Sequence, residues 1–307
     1  LDNADGADIH GFVCVNPLHL RYPRAILFMI TLYQQRDFGE KINATFQYIV
    51  QQFRSLGLSL LYIAGPVVLV AGIASGLGES SVRGNIFGLA TRASVISFLA
   101  YVLSFWLVPL VTYCHLKVYG QTGGGPVPVG TVWREVRRAF GRAVITIVLY
   151  GMLYVVGSLI LFLPGIYFAV ALAPMLCIVV LEDAGAGHAF SRSFTLMQDN
   201  WWATFGLLVI MGFVYLSLLS LIIVPIILWD IVKNVFHLPM LPPLVLSFLG
   251  AFLVLALLLF LVVVVLAVGF QYYNLVEKRE HLGLITRIDS IGETVSQTQL
   301  ADDELYG

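Results

Sequence analysis

The sequence predicts an all-α fold: a polytopic membrane helical bundle of six transmembrane helices with three cytoplasmic amphipathic interfacial helices. Three observations carry this expectation. The 307-residue chain is 59% apolar and only 11% charged, with a mean hydropathy of +0.90, far from the range of soluble domains. Its apolar residues gather into six runs, 56–77, 93–114, 144–163, 164–181, 204–229 and 243–273, which reach or approach the roughly 20 residues a bilayer-crossing helix needs. No Asp, Glu, Lys, Arg or His falls inside any of those runs.

The first part of the chain, 1–55, precedes the spans. Its stretch Ala25–Tyr33 is too short to cross a bilayer and has no small-residue cleavage site, so a signal peptide is not expected. Organised amphipathic patterning begins just after Met29, which makes Met29 the expected start and places 1–28 upstream of it. On a helical wheel Phe38, Ile42, Phe46, Ile49 and Phe53 share one side and Glu40, Asn43, Gln47 and Gln51 the other, which predicts the first surface helix at 38–53. The first span then carries Gly65, Gly72 and Gly76 on one stripe, with Gly72 and Gly76 spaced for close helix contact. Pro66, Pro109, Pro174 and Pro225 lie within the first, second, fourth and fifth spans, where each removes a backbone hydrogen bond and bends its helix.

A second surface helix is read at 131–143, with Val132, Val136, Ala139, Phe140 and Ala143 on one face and Arg134, Arg137 and Arg138 on the other. Only Leu163-Pro164-Gly165 separates the third and fourth spans, and that turn signal predicts a hairpin. Around 186–202, Phe190, Phe194, Met197, Trp201 and Phe205 fall within about 60° of one direction at 100° per residue, opposite His188, Arg192, Thr195 and Asp199. Forcing this stretch across a bilayer would bury Glu182, Asp183, Arg192 and Asp199 at about 3 kcal/mol each, so it is expected to lie in the interface. The spans make one transmembrane domain, 56–273, and a partly disordered acidic tail follows at 274–307. Surface helix, span out, turn and span back recur three times as a pattern of hydropathy, without sequence identity among the units.

Charge sets the expected orientation. Twelve basic residues, among them Arg36, Arg54, Lys117, Arg192 and Lys278, fall on the side of the termini, against Arg83, Arg92 and Lys233 on the other, which places both termini in the cytoplasm. Arg134, Arg137, Arg138 and Arg142 each stand to gain about 1 kcal/mol near an anionic leaflet. With Phe190, Phe194, Trp201 and Trp202 they form the expected membrane-surface set. Glu182, Asp183 and Arg192 are the structural ion-pair candidates, able to pin neighbouring units together.

The chemistry that enzymes need is not written here. No HExxH, GxSxG or phosphate-binding GxxxxGK[ST] pattern occurs, and the six histidines have no helical metal-pair spacing. Cys14, Cys114 and Cys177 form no CxxC. Neither a metal nor another cofactor is expected, and a formal net charge of −1 gives no reason to expect nucleic acid. The one hydrolytic arrangement that can be drawn uses His188 with Ser191 or Ser193, but Asp199, about 16 Å further along the axis, cannot orient the histidine. The reading is therefore a non-enzymatic membrane module that organises partner membrane proteins or lipids. A transporter or lipid-translocating protein with a cleft between Pro-bent helices is the alternative, and an interfacial hydrolase the second.

Leu163-Pro-Gly-Ile-Tyr-Phe168, Ala173-Pro174, Leu181-Glu182, Ala189-Phe-Ser-Arg-Ser-Phe194 and Asn200-Trp-Trp202 together resemble the glycerophosphoryl diester phosphodiesterase membrane-domain family and its uncharacterised bacterial relatives. The resemblance is firmest over 130–210. It implies a multi-span module of the bacterial inner membrane without catalysis, because that activity resides in a separate barrel domain of roughly 250 residues that has no room here.

Overall fold

The computed structural model describes residues 30–82, 92–160, 162–236 and 243–281, and the helices they form all belong to the compact unit that starts at Thr31. The expected start at Met29, the tail beyond His281 and Arg83 of the outer loops lie outside the described residues. Every regular element among those residues is a helix: α1 (Phe38–Ile63), α2 (Gly65–Val82), α3 (Arg92–Gln121), α4 (Val129–Ile160), α5 (Phe162–Ala171), α6 (Met175–Leu181), α7 (Ala186–Met197), α8 (Trp201–Val235) and α9 (Pro243–Glu280). α3, α4, the α5–α6 stretch, α8 and α9 are each long and apolar enough to cross a membrane, and the bent pair α1–α2 makes a sixth.

α9 is the centre. It packs against α1, α2, α3 and α8 and touches α6 and α7, while α3 fills the other side of the core against α1, α2, α4 and α6. α1 opens at Asp37, whose N–H donates to Glu40 Oε2 at 3.0 Å in a capping box. It then passes the same end of several helices in turn. A Cβ on Gly206 of α8 would sit 3.9 Å from Phe38. The Tyr48 ring meets Phe270 of α9 and Tyr119 of α3 edge-on, and Ser55 Oγ donates to the Val127 carbonyl just before α4. At Ala64 the chain bends by 45°. Pro66, two residues later, has no N–H for the Tyr62 carbonyl, and its ring crowds that oxygen.

Two of the three surface helices differ from expectation. Residues 38–53 are not a separate element but the first two-thirds of α1, and 131–143 run without a break into the remainder of α4. Only the third segment forms its own helix, α7, which a turn at Gln198–Asn200 separates from α8. The apolar side of α1 is divided. Lys41, Thr45, Tyr48 and Ser59 are buried, and of the predicted apolar side Ile42 and Ile49 pack against the α8–α9 core while Phe38, Phe46 and Phe53 are exposed. In a lipid setting this is the favourable arrangement, because small and polar groups make close, hydrogen-bonded helix contacts while acyl chains solvate the phenyl rings.

The span drawn at 164–181 is two short helices, broken at Leu172–Pro174 because Pro174 cannot supply the hydrogen bond that would continue α5. α5 does fold back on α4, but Leu163-Pro164-Gly165 is not the turn: all three residues lie at the start of α5, which begins at Phe162. Glycine permits it: a Cβ on Gly165 would lie 3.0 Å from Ser158 Cα, and one on Gly157 would lie 2.8 Å from the Phe168 ring. Gly65, by contrast, meets nothing within 4 Å, so that end of the glycine stripe makes no close contact. Helix lengths differ as well. α3 runs on to Gln121, which takes His115 and Lys117 into a helix whose predicted apolar run stops at Cys114.

Candidate functional site: an ion-paired collar and an apolar cavity

Charged residues from α3, α4, α7, α9 and the turn after α6 converge at one end of the bundle. Lys117 Nζ, in the last turns of α3, lies 2.6 Å from Asp183 Oδ2 and 3.4 Å from Glu135 Oε2 of α4. Arg138 pairs with Glu135 at 3.1 Å. Arg142 holds Asp183 twice, through its carboxylate at 2.8 Å and through its backbone carbonyl. Asp183 itself sits at φ 53°, a left-handed conformation that Asp tolerates better than most residues, and two cations fix it there. Partial burial pushes its carboxyl up, but the hydrogen bonds and charges of Lys117 and Arg142 outweigh this and hold it below the usual carboxylate range.

Its neighbour Glu182 turns the other way. Oε1 accepts from Arg192 Nε at 3.2 Å and from Tyr272 Oη at 2.8 Å, and the far arm of Arg192 donates to Glu280 of α9. Burial pulls the Arg192 pKa down, while its bond to Glu280 and the charge of Glu182 carry it above the ordinary value. Two consecutive carboxylates thus tie α3 and α4 on one side and α7 and α9 on the other. Weaker polar links surround them: Lys278 Nζ donates to Asn200 Oδ1 at 2.8 Å, and the backbone N–H of Arg36 to Asn274 Oδ1 at 2.8 Å, which brings the start of the first helix and the end of the last together at the collar.

Of the residues singled out from sequence, this collar gathers Glu182, Asp183, Arg192, Arg138 and Arg142. Arg134 and Arg137 are exposed and make no ion pair among the described residues; Arg137 lies over the Trp133 ring at 5.7 Å. Phe190 and Phe194 meet edge-on at 5.0 Å, Trp201 stacks on Phe205 at 5.2 Å, and Trp202 stays 77% exposed. The hydrolytic trio does not assemble. Ser193 is fully buried with its Oγ donating to the Ala171 carbonyl at 2.6 Å, where it satisfies an acceptor at the end of α5. Ser191 donates to carbonyls of its own helix, and His188 is exposed.

Sequence reasoning missed a buried polar knot. Tyr48 Oη lies 2.7 Å from His115 Nδ1, and His115 Nε2 lies 3.1 Å from Ser55 Oγ. Because Ser55 donates onward to Val127, the pattern fits a neutral histidine with its proton on Nε2. The signal available was the polar and small stripe of α1 at Lys41, Thr45, Tyr48, Ser55 and Ser59. Gln271 Nε2 donates to Thr204 nearby, and its Oε1 is wholly enclosed without a partner among the described residues.

Voids lie beside these clusters, among them one of about 410 Å³ against α7 and Trp201. An apolar cavity of about 280 Å³ opens between α3, α4, the α5–α6 break and α9, bounded by Trp106, Pro109, Tyr113, Tyr150, Ala173 and Val264. A lateral groove of about 740 Å³ runs between the end of α1 and the start of α4, with Tyr62 and Trp133 on its walls.

Five or six apolar helices closed at one end by an ionic collar fit a multi-pass helical membrane protein. Residues 122–275 match the family described as a domain of unknown function, DUF7847, and the chain belongs to that family. The matched stretch begins in the loop after α3 and ends within the last turns of α9, so it contains both carboxylates of the central turn and Arg192. No curated protein and no solved structure matches the chain.

Proposed function

We propose that this chain is a non-enzymatic module of a bacterial inner membrane, with both termini in the cytoplasm, that engages anionic lipid and partner membrane proteins at its collar end. The division among the cations carries this reading. Lys117, Arg138, Arg142 and Arg192 are neutralised by carboxylates inside the collar, whereas Arg134 and Arg137 face outward beside Trp133 and the groove. Each free guanidinium gains about 1 kcal/mol near an anionic surface, and a tryptophan at the same level anchors in the headgroup region. Acid–base chemistry is disfavoured by the same division, since Glu135, Glu182 and Asp183 are all held by fixed cations. The excess of basic residues at this end supports the cytoplasmic orientation. The likeness to phosphodiesterase membrane domains is taken as one of architecture alone.

Native mass spectrometry of the full chain, exchanged into equal amounts of phosphatidylglycerol and phosphatidylcholine, tests this reading. Retained phosphatidylglycerol that falls in Arg134→Gln/Arg137→Gln supports it; equal retention of both lipids by the unaltered chain removes it. The cavity bounded by Pro109 and Ala173 favours a second reading, lipid movement through the bundle. Absence of lipid or solute movement in proteoliposomes eliminates that one.

A further inference from the structure

We propose that the cavity between α3, α4, α9 and the α5–α6 break binds an uncharged ligand from the bilayer: one apolar chain bearing a carbonyl-type acceptor oxygen, held by the Tyr113 hydroxyl. This goes beyond the arginine rim and stands independently of it.

Tyr113 and Tyr273 stand apart among the hydroxyls of buried residues, neither making a hydrogen bond among the described residues, and of the two Tyr113 lines the cavity. Ser104, Thr112, Thr146 and Ser193 each donate to a carbonyl, and Tyr48 bonds His115. Tyr113 is 3% exposed and lines the cavity, yet its hydroxyl makes no hydrogen bond among the described residues. This hydroxyl is not among the fully enclosed atoms without a partner, so it retains some accessible surface, and the walls of the cavity it lines are almost wholly apolar. Tyr150 and Trp106, on the same walls, add an O–H and an N–H that also lack a protein partner among the described residues. Three donors and no charged side chain around an apolar space select an uncharged body with an acceptor oxygen.

The break in the fourth pass belongs to the same site. Irregular backbone at membrane depth is tolerated where it is enclosed by protein or lines a cavity, and Leu172 and Ala173 of the break do line this one. Pro109, inside α3, lies on the opposite wall. The exposed Phe105 marks a side facing the surroundings of the bundle, which gives a lateral route for a ligand dissolved in lipid. A volume of about 280 Å³ lies at the lower edge of ordinary small-molecule sites and takes one chain, not a two-tailed phospholipid with its headgroup.

Photolabelling of the full chain in nanodiscs tests the proposal, with three diazirine probes: a fatty-acyl methyl ester, a prenyl-quinone analogue and a plain alkane. The expected result is preferential labelling of peptides containing 105–113 and 172–176 by a carbonyl-bearing probe, reduced about fivefold to tenfold in Tyr113→Phe while alkane labelling is unchanged. Comparing the ester with the quinone tells which source of the carbonyl is used. Leu261→Trp, which fills the cavity while leaving the Tyr113 hydroxyl in the chain, should abolish labelling of those peptides, and this second variant decides the matter if Tyr113→Phe fails to fold. Equal labelling by the alkane and both carbonyl probes, equal labelling of the native chain and Tyr113→Phe, or labelling of those peptides that survives Leu261→Trp would each overturn it.

Discussion

α8 and α9 are neighbours of nearly equal length and both strongly apolar, yet one is the wall of the bundle and the other its axis. Within the most apolar stretch of each, 11% of α8 is buried inside the protein and 44% of α9. Their apolar middles do not account for the difference; their collar ends do. α9 finishes in Gln271, Tyr272, Asn274, Glu277 and Glu280, all buried or half-buried, and Tyr272 and Glu280 reach the two sides of the Glu182–Arg192 pair. α8 begins with Trp201 and Trp202, whose rings meet edge-on, and Trp201 stacks on Phe205. Hydropathy therefore decides that a helix spans, and the polar residues at its end decide whether it spans at the centre.

The strongest way to break this comparison is to place a charge on each helix. Ala267→Arg, at a fully buried position of α9, should abolish folded protein, because a desolvated cation and an overpacked side chain together cost more than about 4–5 kcal/mol. Phe213→Arg, on the exposed side of α8, should cost only about 2.5–3.5 kcal/mol in membrane insertion. Recovery of monodisperse protein by size-exclusion chromatography ranks the two. A smaller effect is expected at the collar. Arg192→Met leaves Glu182 and Glu280 without their cation, and at 22% exposure the loss should fall between the exposed and buried limits, about 2–3 kcal/mol, read as a lower thermal midpoint in detergent.

The hairpin end offers a contrast without charge. Gly165→Ala should destabilise by about 1–3 kcal/mol through overpacking on Ser158, and replacing the serine as well with glycine should recover part of that loss. The smallest effect is one of pH. Asp183 has a lowered pKa in the folded chain, so its stabilising contribution is complete above the ordinary carboxylate value of about 3.9 and is lost as pH falls below that through the depressed value. A thermal midpoint followed through this acid limb should drop in the native chain and flatten in Asp183→Asn.

Much of this was legible because a bilayer imposes length. Runs of apolar residues announce the spans, and in so greasy a chain Glu182, Asp183 and Arg192 stand out as groups that must find each other or water. The orientation of α1 was not legible for the same reason. Where lipid is the solvent an apolar stripe need not point wholly inward, so Phe46 and Phe53 face out while Ile42 and Ile49 of the same stripe pack on the core and Tyr48 is buried beside them. The break at Leu172–Pro174 hid inside an apolar run because membrane helices often carry proline without breaking. His115 fell one residue beyond a run that ended by composition at Cys114, while the helix itself continued to Gln121. Nothing in the sequence distinguishes Tyr113 from its apolar neighbours; its place on the cavity wall, without a hydrogen-bond partner among the described residues, is visible only in the fold.

The central claim is a division of labour among the charges, tied ones for structure and free ones for lipid. It is tested most directly by reconstituting Arg134→Gln/Arg137→Gln and Glu182→Gln/Asp183→Asn in the same anionic bilayer and measuring, for each, the thermal midpoint and the selectivity for spin-labelled phosphatidylglycerol. The account predicts a crossed result: the arginine pair loses lipid selectivity at an unchanged midpoint, and the carboxylate pair loses several degrees at unchanged selectivity. A carboxylate pair that alters selectivity while leaving the midpoint intact, or an arginine pair that lowers the midpoint without changing selectivity, would contradict it.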